Sequence, residues 1–202
     1  MIKNYKHIIP LGCNCVVADQ LKKNRLRNAA YPFDWCETPL KSLYFIFKND
    51  FINFLATPGV AFIHEDEGFE KSGNKYKRRI KRFYSVVESK EHILFLRFAQ
   101  ENENADKIDN FFREKFPNLK YSLVLIKESE IGAPKDDKYF NSLAYDLKWS
   151  RLFFEMKMIN RLGYLRSILN AYTLLADRYI GKIGLVLKSK TPKLYRLIKR
   201  VI

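Results

Sequence analysis

The sequence predicts an α/β fold: a small three-layer sandwich with a mainly parallel sheet, plus a helical, basic C-terminal extension. Three observations carry this. His92 to Phe98 and Tyr121 to Ile126 are near-continuous apolar runs, as expected of strands buried on both faces. Between them, Asn104 to Phe116 places Ile108, Phe111 and Phe112 at helical spacing. Strand, helix, strand over about 35 residues is a βαβ unit, whose two strands run parallel.

The remaining elements follow from local pattern. Ile8 to Leu11 reads as a strand that stops at Gly12, and Cys15 to Lys23 as a helix with Val17, Ala18 and Leu21 on one face. Thr38-Pro39 reads as a helix start, with Thr38 as N-cap and Pro39 in the first turn. Leu40, Leu43, Tyr44, Phe47 and Phe51 mark the buried face of that helix, which is expected to reach Leu55. Gly59 to His64 reads as a strand. Tyr76 to Ser89 reads as a helix with Ile80, Phe83, Tyr84 and Val87 inward and Lys77, Arg78, Lys81 and Arg82 outward. Residues 131–150 look like loop, Arg151 to Met158 like a strand, and Asn160 to Ala176 like a helix.

A chain of 202 residues suits one domain, assigned here to residues 1–176, followed by the extension over 177–202. Its 16 Phe and 12 Tyr exclude a disordered chain. Three cysteines are too few for a disulfide scaffold. The net charge of +15 is unevenly spread: residues 151–202 hold 12 basic and 2 acidic side chains, and no acidic residue follows Asp177. No run approaches the roughly 20 apolar residues of a membrane span, and the N-terminus carries no secretory h-region. The expected compartment is the cytoplasm, where Cys13, Cys15 and Cys36 stay reduced.

The segment Leu11-Gly12-Cys13-Asn14-Cys15 is the most informative. It joins a strand to a helix, and a helix N-terminus offers unpaired N–H groups and partial positive charge. That field favours thiolate, and the same N–H groups can hold an oxyanion. Cys15 is therefore the candidate nucleophile, although packing is the ordinary fate of a cysteine. Gly12 permits a tight turn and a close substrate approach. A metal site is not expected, since C-x-C stands without a second close-spaced pair.

A thiol nucleophile needs a base, usually histidine. His7 precedes the first strand. His92 opens a buried strand, at the end opposite to where parallel sheets bind ligands. His64 ends an apolar run beside Glu65-Asp66-Glu67 and is the preferred base. Asp34, an acidic residue in the apolar turn Phe33-Asp34-Trp35, and Asp66 are the candidates to orient it. Arg97 lies near the C-terminal end of a buried strand, and a buried arginine needs an anionic partner. Gly12, Asn14 and Arg97 are the candidates on the substrate side.

Leu11-Gly12-x-x-Cys15, then Leu21, Arg27 and Pro32-Phe33-Asp34-Trp35, resembles a bacterial domain of unknown function described as "putative papain-like cysteine peptidase". His64-Glu65, Arg78-Arg79-Ile80-Lys81-Arg82-Phe83 and Ile93-Leu94-Phe95-Leu96-Arg97 continue the pattern, so the resemblance spans residues 6–128. It implies Cys15 as nucleophile and His64 as base, acting on a peptide or acyl substrate without a cofactor. Cys13 falls at a variable position of the motif. Gly-x-Asn-Cys after a first strand is also similar to proteins of capsule-polysaccharide assembly, which would imply acyl transfer from coenzyme A instead.

Thr191-Pro192 opens a short cationic amphipathic stretch, with Leu194, Leu197, Ile198 and Val201 on one face and Lys193, Arg196, Lys199 and Arg200 on the other. Residues 191–202 are thus a candidate contact with an anionic membrane surface, and a non-catalytic polyanion-binding module is the reading opposed to an enzyme. No nucleic-acid-binding module is recognisable.

Overall fold

The computed structural model describes residues 5–62, 68–132 and 140–173. His64, Asp66 and the whole extension over 177–202, with its amphipathic stretch, lie outside the described residues.

The chain is mixed α/β with a mainly parallel sheet. Strand β1 (His7–Pro10) pairs in parallel with β4 (His92–Ala99), which pairs in parallel with β5 (Lys120–Lys127), so β4 is central. Helix α4 (Asp106–Lys115) links β4 to β5, as the βαβ pattern predicts. Between β1 and β4 come α1 (Val16–Lys23), β2 (Cys36–Glu37), α2 (Leu40–Lys48), β3 (Ala61–Phe62) and α3 (Gly68–Val87). The short β2 and β3 pair antiparallel, Cys36 opposite Phe62. After β5 come a single turn α5 (Glu128–Ile131), α6 (Phe140–Glu155) and a helix over 161–173, called α7.

Successive residues of a strand point to opposite faces, and β4 serves two cores in this way. Ile93 and Phe95 join Ile9, Leu11, Phe33, Phe47, Phe83 and Phe112 in one cluster. Leu94, Leu96 and Phe98 join Ile8, Val17, Leu21, Trp149 and Phe153 in the other. The first core is strongly aromatic: Phe47 has ring centroids of Phe33, Phe83 and Phe112 at 5.5, 5.6 and 5.1 Å. Edge-to-face and offset pairs at such distances add to the burial itself.

Three expectations change. The segment expected to be loop and then strand (residues 131–150 and Arg151 to Met158) contains α6 instead. Tyr145, Trp149, Leu152, Phe153 and Met156 recur at helical spacing and face the second core, with Trp149 and Phe153 fully buried. Helix α2 ends at Lys48 rather than Leu55, because Asp50, Phe51 and Asn53 all take left-handed backbone angles. Thr38 is not its cap: the N-cap position is Pro39, and the Thr38 hydroxyl instead lies 3.2 Å from Cys36 Sγ.

Candidate active site

The loop after β1 rises at the C-terminal edge of the parallel sheet, where α/β folds bind ligands. Leu11 N–H still donates to Leu96 O at 2.8 Å, so the turn leaves the sheet immediately afterwards. Gly12 and Cys13 follow with φ of 71° and 77°. Gly12 is required there on two counts. A β-carbon would be strained by the left-handed backbone, and it would stand 2.9 Å from Thr38 Cβ. Cys13 has no such licence, and a non-glycine residue held there stores on the order of 1–3 kcal/mol.

The turn reverses the chain into α1. Asn14 Oδ1 accepts the Val16 N–H at 3.0 Å, which anchors its side chain at the start of α1. Cys15 is the N-cap residue; its carbonyl accepts from Asp19 N–H at 3.0 Å. Its side chain makes no capping bond, so the half-buried sulfur is not committed to holding the helix.

Burial pushes the Cys15 thiol above its ordinary value. Its own backbone N–H, aimed at the sulfur, pulls it down, and the Asp19 and Glu37 carboxylates push it up again. The helix end is expected to favour thiolate, but half-burial outweighs it. Burial likewise raises Cys13, against the pull of Arg97. Cys36 is fully buried and its thiol is pushed up to about 12, which makes it an inert packing group.

Arg97 finds its anionic partner within the fold. It is 1% exposed, and Nε and Nη2 grip the Glu103 carboxylate at 3.0 and 2.7 Å. Nη1 donates to Leu11 O at 2.8 Å and to Thr38 O at 3.0 Å. Four of its five N–H groups are thereby engaged, and the guanidinium ties the Gly12–Cys15 turn to the segment before α2. Its observed work is to position Gly12 and Thr38 against each other.

Asp34 is fully buried, and Oδ2 accepts from Arg27 Nη2 at 2.5 Å and Nε at 3.1 Å. Burial pushes its carboxyl up, against the pull of Arg27 and, more weakly, Arg79. Its Oδ1 is buried without a hydrogen-bond partner among the described residues. Arg79, expected with Arg78 and Arg82 on a solvated helix face, is instead buried and lies over the Tyr76 ring at 5.0 Å. It sits three residues after Tyr76 and four before Phe83, which is the spacing that could have revealed it. Glu103 and Thr38 are the other site residues missed, and neither carried a sequence signal.

The described histidines lie elsewhere. His7 Nδ1 is 3.0 Å from Tyr31 OH at the start of β1, and His92 Nε2 is 3.3 Å from Ser122 Oγ at the start of β4, both at the far end of the sheet. His64 is outside the described residues. Phe62, the last described residue before it, stands opposite Cys36, whose carbonyl is 3.7 Å from the β-carbon position of Gly12. Among the described residues no three His, Cys, Asp or Glu side chains converge as metal ligands, and no helix is long and apolar enough to cross a membrane.

Residues 6–68 match the model of a protein family described as "putative papain-like cysteine peptidase". The match takes in Gly12, Asn14, Cys15, Asp34 and His64, a little under a third of the chain, and ends before the arginine-rich stretch of α3 and before β4. No curated protein and no solved structure matches the chain.

Proposed function

We propose that this protein is a thiol-dependent hydrolase of the cysteine-peptidase kind, with Cys15 as nucleophile, His64 as base and Asp34 as the carboxylate that orients the base. The observation that carries the reading is Cys15 itself. An uncommitted sulfur stands at the N-cap of α1, at the C-terminal edge of a parallel sheet. The match over residues 6–68 supports it.

The chemistry follows from those groups. His64 takes the thiol proton, and the Cys15 thiolate attacks the substrate carbonyl carbon. Electrons move onto the carbonyl oxygen, where the amide N–H of Asn14, whose Oδ1 is held by Val16 N–H, is the side-chain donor. Collapse breaks the bond to the leaving amine or alcohol, which takes the proton back from the imidazolium. Water, deprotonated by the same imidazole, then hydrolyses the thioester and releases a carboxylic acid and the free thiol. The buried Asp34 Oδ1 supports its role, since an acceptor left unpaired in the interior favours a donor such as an imidazole N–H.

An electrophilic acyl probe tests the reading. The native protein is expected to form one covalent adduct, mapped to Cys15 by mass spectrometry. Cys15→Ala should keep the circular dichroism spectrum and lose the adduct. An adduct that persists in Cys15→Ala, or sits on Cys13, would overturn it.

A further inference from the structure

Helix α7 is amphipathic in the inverted sense. Ser167, which is 7% exposed, packs beside Asn24 and Ser150 with Asn170 and Ala171, so the small and polar side of the helix faces the body. Leu162, Leu165, Leu169 and Tyr172 are 65, 54, 66 and 52% exposed. At roughly 100° per residue their stripe is centred about 180° from Ser167. Four large apolar side chains in one row thus point directly away from the protein.

The flanks of the stripe say what covers it. Arg161 lies on one side and Arg166 on the other, both exposed, and residues 156–176 contain no acidic side chain. A second copy would bring arginine against arginine with no carboxylate on the helix to pair with. Its seam over the described residues, Leu162 to Tyr172, is also shorter than two heptads, where stable coiled coils use three or four. An anionic lipid surface meets every requirement: acyl chains for the leucines, the headgroup level for Tyr172, and phosphates for arginines whose stems can lie along the interface. Residues 174–202 add eight more basic residues, from Arg178 to Arg200, and one acidic residue, Asp177.

We propose that the outward face of α7 is a membrane-docking surface that lies on anionic phospholipid. The contact is apolar at its centre and electrostatic at its rim. It is independent of Cys15 and distinct from any contact made by residues 191–202.

The test is co-sedimentation of the full chain with phosphatidylcholine vesicles, with or without phosphatidylglycerol. Binding is expected to anionic vesicles only, and to weaken with salt. The variant carrying Leu162→Gln, Leu165→Gln and Leu169→Gln should keep the native circular dichroism spectrum. It should bind at least about tenfold more weakly, although every basic residue is retained. Leu169→Trp should give a blue-shifted emission change on anionic vesicles. Unchanged binding by the triple variant, or no binding by the native chain, would overturn the proposal. So would a dimer in sedimentation equilibrium that the triple variant abolishes, since it would assign the face to a second copy. A triple variant with a large loss of thermal stability would overturn it too, because the face would then be covered within the chain.

Discussion

Arg97 Nη1 donates to the carbonyl oxygen of Leu11 at 2.8 Å, across 86 residues of sequence. The same nitrogen holds Thr38 O, while the rest of the guanidinium is locked by Glu103. A buried cation thereby fixes the backbone that leads into the Cys15 turn.

Removing one partner of that pair leaves a buried charge uncompensated. Arg97→Met is expected to cost about 3–5 kcal/mol, and Arg97→Lys nearly as much, because an ammonium cannot reach two carbonyls and a carboxylate together. Adding Glu103→Gln to Arg97→Met should cost little more than the single change. Urea denaturation of the four-member cycle checks this, and additive losses would contradict it.

Gly12→Ala tests the turn. The left-handed angle alone costs roughly 1–2 kcal/mol, and the 2.9 Å approach to Thr38 Cβ adds to it. A fall in the unfolding midpoint equivalent to 2 kcal/mol or more is expected. Gly163→Ala, in a helix and without a left-handed angle, should cost far less.

The pH dependence of Cys15 alkylation separates the thiol from its base. In His64→Ala the rate should rise in one alkaline step, since burial and the Asp19 and Glu37 carboxylates hold the thiol up. The native protein should show an added step near neutrality, from an imidazolium–thiolate pair. Glu37→Gln should move the alkaline step to lower pH. Identical profiles for the native protein and His64→Ala would remove His64 from the mechanism.

Cys36 gives a stability signature. Its thiol, near 9 when unfolded, is pushed to about 12 in the fold, so the folded state holds its proton more tightly. That stability is full below pH 9 and is lost as the pH rises from 9 towards 12. Between pH 8 and 10.5 the native protein should lose roughly 1–2 kcal/mol more than Cys36→Ala. Below pH 9 Cys36 should resist alkylation until urea unfolds the chain.

The sequence by itself determined the β4–α4–β5 unit, the strand that stops before Gly12 and the helix that follows Cys15. Each rests on residues within one or two turns of each other, where spacing alone states which side is buried. The tertiary structure decided the rest. It made a helix of the segment around Trp149, because that face had to complete the second core. It placed Arg79 inside next to Tyr76, and turned Thr38 from a helix cap into the wall against Gly12. It gave Arg97 to Glu103, Leu11 and Thr38, because buried charge takes whichever partners the fold brings within hydrogen-bond reach, and partners as distant along the chain as Leu11 and Thr38 leave no pattern in its order.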